Sequence, residues 1–232
     1  VDIGRAFSYI FEDDEWAGKL VISAVIGFFA IITTPLLIGL IGWAALLGYL
    51  VDLVRNLRDR HPTPLPRWDN YGDKIRSGGN VLTAMIIYNL PNLLFSCCAG
   101  ITSSFWENDF VSPILGIGLG CCVVPLVILF NLIAWPTFWL GVARYAQERN
   151  IGVFFQFGDL FGALRRNFGL TFQWIFLALI ANLVFGFLAA IPCVGWAGAP
   201  ALAIPVHAYL LAQFVERLEG SGKLKSKPKR GY

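Results

Sequence analysis

No lysine or arginine occurs from Ser77 to Ala143, nor again from Asn167 to Glu216. Two stretches of this length without a basic residue are comfortable only in lipid. A transmembrane helix needs about 20 mostly apolar residues to cross a hydrocarbon core of roughly 30 Å, and each stretch holds more than one crossing. Composition agrees, since 56% of the residues are apolar and only 14% are charged, outside the balance of soluble domains. The expected class is an all-α, polytopic transmembrane helical bundle.

The apolar runs are Leu20 to Val51, Gly79 to Phe105, Ser112 to Ala143, Gly169 to Ile191 and Val194 to Val215. The first is 32 residues long, about 48 Å as one helix. It is interrupted at Thr33-Thr34-Pro35, where proline removes a donor and crowds the preceding turn. A split there gives six spans; one kinked, tilted helix would give five. With six, all 18 Lys and Arg residues fall on the same side, as the positive-inside rule asks, whereas five would place Arg5 and Lys19 outside. Six spans are therefore expected. The cytoplasmic parts are then the N-terminal stretch, Asp52 to Gly78, Arg144 to Phe168 and the tail; Thr33 to Pro35, Trp106 to Val111 and Pro192 to Cys193 are the outer tips. Val1 to Glu15 is polar and acidic without a signal-peptide pattern, so the first apolar run is expected to act as its own insertion signal. Residues 1–218 are read as a single integral membrane domain and 219–232 as a basic cytoplasmic tail. Lys223, Lys225, Lys227, Lys229 and Arg230 in that tail help to set topology or attract anionic headgroups.

Sliding the chain by 90 positions superposes Asp69, Gly72, Arg76, Gly79, Asn92, Leu93 and Phe95 on Asp159, Gly162, Arg166, Gly169, Asn182, Leu183 and Phe185. An internal repeat is expected from this match, giving three pseudo-repeated hairpins with the N-terminal piece as a degenerate copy. Each hairpin is preceded by an interfacial amphipathic segment. Leu65, Trp68 and Tyr71 in one segment, and Phe154, Phe155, Phe157, Leu160, Phe161 and Leu164 in the other, lie among charges and suit the headgroup plane. Gly79 and Gly169 are expected to turn the chain from in-plane to spanning. Three alternate prolines, Pro62, Pro64 and Pro66, predict an extended connector.

The segment GYLVDLVRNLRDRHPTPLPRWDNYGDKIRSGG, from Gly48 to Gly79, resembles the hallmark of a prokaryotic membrane family of unknown function, DUF4013. The residues that carry the likeness are Gly48, Tyr49, Arg55, Leu65, Pro66, Trp68 and Asp69, and the start RAFSYIFEDDEW fits as well. The resemblance implies a multi-pass protein of a prokaryotic cytoplasmic (inner) membrane, with both termini cytoplasmic by the charge count. It implies no activity, because the family has none to carry over.

Intramembrane catalysis, proton relay and ion coupling need ionisable groups facing one another inside the bundle. In the spans from Leu20 to Val51, Gly79 to Phe105 and Gly169 to Val215 the sequence offers one, His207. A lone imidazole is the minimal axial ligand for a haem or chlorin, and equally a histidine hydrogen-bonded to a neighbour. Asn89, Asn92, Asn131, Gln173 and Asn182 read as interhelical hydrogen-bonding groups, Asn92 and Asn182 foremost because they repeat. Asp69, Arg76, Asp159 and Arg166 form the repeated charged pattern, read as an internal ion pair or cap, or as contacts for a headgroup or partner. Cys97, Cys98, Cys121, Cys122 and Cys193 occur as two adjacent pairs and a single residue, spacings that do not match zinc sites, and are read as packing residues. Small residues at helical spacing, Gly116 and Gly120 and, earlier, Gly39, Gly42 and Ala45, suggest close helix packing or partner contact.

No catalytic residues, metal or cofactors are expected, and the chain is not read as an enzyme. The expected function is a non-catalytic accessory or scaffold subunit of a membrane protein complex, with a transporter or lipid-handling protein as the alternative. The expected partners are membrane lipids, with anionic headgroups at the basic face, and other integral membrane subunits; nucleic acid is not among them.

Overall fold

The computed structural model describes the backbone of residues 2–103, 121 and 123–220, and the side chains of all of these except 98–103. Among the described residues the chain is helical, without strands. The helices in order are α1 (Ile3–Ser8), α2 (Trp16–Thr33), α3 (Gly39–Arg58), α4 (Tyr71–Ser103), α5 (Val124–Glu148), α6 (Phe157–Arg166), α7 (Phe168–Ala189) and α8 (Val194–Gly220). Short 3-10 turns at Tyr9–Glu12, Thr34–Leu36 and Ile151–Phe155 join some of them. Six helices, α2, α3, α4, α5, α7 and α8, are long and apolar enough to cross a membrane.

The long first run does split at its threonines and proline. The hydroxyls of Thr33 and Thr34 donate to the carbonyls of Phe29 and Ala30 at 2.7 and 2.6 Å, satisfying acceptors that the ending helix leaves open. Pro35 then sits in the 3-10 turn and Leu37 adopts a left-handed φ of 62°. The return helix starts at once, so close that a Cβ on Gly39 would lie 2.2 Å from the Ala30 carbonyl oxygen. Helix α2 is 18 residues long, about 27 Å. The proline-rich connector before α4 lacks helix, as its three prolines require.

Helices α3 and α8 form the interior, with 50% and 56% of their apolar windows buried; α2, α7 and α4 are peripheral at 28%, 22% and 17%. The tightest crossing joins α3 and α4. A Cβ on Gly78 would lie 1.7 Å from the Ala44 carbonyl oxygen, and one on Gly48 would lie 1.9 Å from that of Lys74. Only glycine lets the two backbones touch in this way. The largest fully buried side chains, among them Tyr49, Leu53, Phe154, Leu160, Phe214 and Leu218, gather toward the end where the chain's connecting segments and charges lie. Helix α1 and the turn after it belong to that end: the Asp2 amide donates to Gln213 Oε1 at 2.8 Å, the Tyr9 hydroxyl to the Pro205 carbonyl at 2.8 Å, and Tyr9 stacks on Tyr209.

The glycine turns do not form as expected. Gly79 lies inside α4, which runs unbroken from Tyr71; the chain turns earlier, at Asn70, whose φ is 49°. In the matching segment the break falls at Asn167, with φ −123° and ψ 43°, between α6 and α7. The residue that corresponds to Gly78 is Phe168, 71% exposed. Its side chain forbids the backbone approach that lets α4 continue against α3. The two segments with one sequence pattern thus take two geometries.

Candidate functional site

The connecting segments converge at one end of the bundle, and their charges are joined across elements. Lys74, on the first turn of α4, has only 5% of its side chain exposed. Its ammonium lies 3.5 Å from Asp52 on α3 and 3.6 Å from the Asp69 carboxylate, and it donates to the Asp69 carbonyl at 3.1 Å. Arg149, just beyond α5, donates to the same Asp52 at 2.6 Å. Asn80 donates to the Tyr145 hydroxyl at 2.8 Å. These groups, with Asp73 and Arg76, line a polar cleft of about 490 Å³.

A second network locks the N-terminal stretch. Asp13 and Lys19 pair at 2.8 Å with 1% and 8% of their side chains exposed. The Trp68 indole donates to the Lys19 carbonyl at 3.0 Å and lies 3.2 Å from the Ser23 hydroxyl, while its ring stacks on Tyr49 at 4.7 Å and 7°. A third joins the end of α8 to α3 and the loop beyond it, Arg58 with Glu219 at 2.5 Å and Arg60 with Glu216. The buried pairs among these, Asp13 with Lys19 and Lys74 with Asp52, fix geometry more than they add stability: desolvation offsets much of their attraction, and removing one partner alone strands a charge.

Asp69 and Arg76 line one cleft without bonding to each other, since Asp69 pairs with Lys74. Asp159 and Arg166 occupy the first and last turns of α6, both exposed, where their charges suit the helix dipole. Among the described ion pairs none joins any two of these four residues. Lys74, Asp52 and Arg149 were not singled out by sequence, because their meeting depends on how α3, α4 and α5 cross. The Asp13 to Lys19 pair left a local trace, a lone lysine at the start of an apolar run six positions after an aspartate.

Inside the spans four polar side chains meet in two pairs. Asn92 on α4 and Asn131 on α5 exchange two hydrogen bonds, both 3.0 Å. Asn182 on α7 has its Oδ1 3.2 Å from His207 Nε2 on α8. The two repeated asparagines therefore each clasp one hairpin, with different partners, and the histidine read as a lone group is the partner of the second. That engagement takes up the Nε2 nitrogen an axial ligand would use. Cys97, Cys121 and Cys193 are free thiols; Cys98 and Cys122, Gly116 and Gly120, the tip from Trp106 to Val111 and the basic residues from Lys223 to Arg230 lie outside the described side chains. Among the described residues no group of three or more His, Cys, Asp or Glu is placed to hold a metal ion.

Six apolar spans, one charged end and polar clasps between helices define a multi-pass helical membrane protein. The chain belongs to a family described as Protein of unknown function (DUF4013), whose model matches residues 28–194. The match begins inside α2 and stops where α8 begins, so the most buried span lies almost wholly beyond it. No curated protein matches the chain at a significant level, and no solved structure does.

Proposed function

We propose that this chain is a non-catalytic integral membrane protein that serves as an accessory or scaffold subunit of a membrane assembly. In this reading it resides in a prokaryotic cytoplasmic membrane with its charged end and both termini on the cytoplasmic side, as positive-inside counting favours. One observation carries the reading. Four polar side chains within the spans pair across helices, Asn92 with Asn131 and Asn182 with His207, while the outer helices turn large apolar groups outward. Phe172, Phe176, Leu183 and Phe187 on α7 are 55% to 71% exposed, and α4 is the least covered span. A path for a polar solute needs unpaired polar groups along it; a surface for lipid or for neighbouring helices needs what α4 and α7 present. The charge networks at the other end give that surface a rigid base.

Replacing Asn92 and Asn182 together with leucine tests the reading against transport. The expected result is lower thermal stability, with solute and lipid movement in reconstituted vesicles unchanged from the wild type. Loss of movement by a normally folded variant would overturn it.

A further inference from the structure

Among the described residues a gap lies between α4 and α5. Below the asparagine clasp runs a groove of about 470 Å³, walled by Ile87 and Pro91 on one side and Phe130 and Ile133 on the other, with Phe157 and Phe161 of α6 at its charged end. We infer that this groove holds an acyl chain of a membrane lipid.

The wall chemistry excludes a polar occupant. The hydroxyl groups at the groove are already engaged inward: Tyr88 donates to the Phe154 carbonyl at 2.7 Å and Thr137 to the Ile133 carbonyl at 2.6 Å. What faces the space is hydrocarbon and aromatic ring, which water does not wet. An empty groove would forfeit dispersion contacts along its whole lining. Ile133 is 43% exposed, so the groove opens sideways into the surrounding hydrocarbon.

Size separates a lipid chain from a partner helix. An α-helix with side chains is about 10 Å across, so one turn of 5.4 Å fills roughly 400 Å³. The groove would take barely one such turn, and α6 blocks its charged end. A flexible chain one methylene wide can lie along it. Helix α6 is built for that border: Leu160, Ala163 and Leu164 are buried in the core, while Phe157 and Phe161, one turn apart, are 49% and 42% exposed on the groove side. The inference stands apart from the assembly reading, since a chain can occupy the groove whether or not a partner covers α7.

The test uses the full chain in lipid nanodiscs doped with a phosphatidylcholine that carries a diazirine in mid-chain, followed by mapping of the crosslinked peptides. The groove residues Ile87 to Pro91 and Phe130 to Ala134 are expected to take about tenfold more label per residue than the outward face of α7, as for any tenfold preference in occupancy. Ala134→Trp fills the groove and should bring its label down to the level of α7. Gly158→Leu offers a second variant at the rim, where a Cβ meets nothing within 4 Å, so the fold tolerates it while the groove mouth narrows. Equal labelling of groove and α7, or label unchanged in folded A134W or G158L, would overturn the proposal.

Discussion

Helix α4 packs against its two neighbours in opposite ways. Against α3 it lies backbone to backbone, with Gly48 and Gly78 at the crossing and a buried lysine beside it. Against α5 it stands off, joined by an asparagine pair and separated below it by an apolar groove. The first contact is irreplaceable at the level of single atoms; the second is a clasp across a gap. The difference teaches that the charged end supplies the fixed frame and the α4–α5 hairpin the adaptable surface.

The comparison breaks most readily at the glycines. Gly78→Leu should abolish monodisperse protein in detergent, a loss at the exceptional end, above about 4 kcal/mol, because backbone must move. Normal yield would show that the crossing is not fixed. Next in size, Lys19→Met should lower stability by about 3–5 kcal/mol by stranding Asp13, and adding Asp13→Leu should restore most of it, measured by thermal unfolding. At the clasp a double-mutant cycle on Asn92→Leu and Asn131→Leu should return a coupling of about 0.6 kcal/mol, and no more than about 1.7. A coupling as large as the loss at Lys19 would erase the contrast between the two regions. An effect of similar size concerns Tyr9. Burial holds its phenol well above the ordinary value near 10, so the neutral form is favoured in the fold, and stability is full below pH 10 and falls as pH rises above it. Tyr9→Phe should cost about 1 kcal/mol at neutral pH through the lost hydrogen bond to Pro205 and should flatten part of the alkaline decline.

Much of this frame is legible from residues alone. The split at Thr33-Thr34-Pro35 announces itself, because two hydroxyls and a proline in an apolar run can cap one helix and start another. Charge placement then orders the six spans, and three prolines fix the connector. What could not be read is long-range. Gly78 matters through Ala44, 34 positions earlier, and nothing in its own neighbourhood marks it apart from Gly79. Asn182 and His207 look like separate questions until α7 and α8 are side by side. The repeated pattern misleads about the turns for the same reason: Gly78 and Phe168 occupy matching places, and only contact with a third helix decides whether the chain continues or breaks. The charged residues of the pattern were visible, but their partners were set by crossings that no local motif encodes.

The central claim, that this chain works as a subunit within a larger membrane assembly, is tested most directly by the mass and composition of the particle that carries it after gentle solubilisation from its native membrane. Co-migration with other membrane proteins at fixed stoichiometry is the predicted result; migration alone, or as a small oligomer of this chain only, would contradict it.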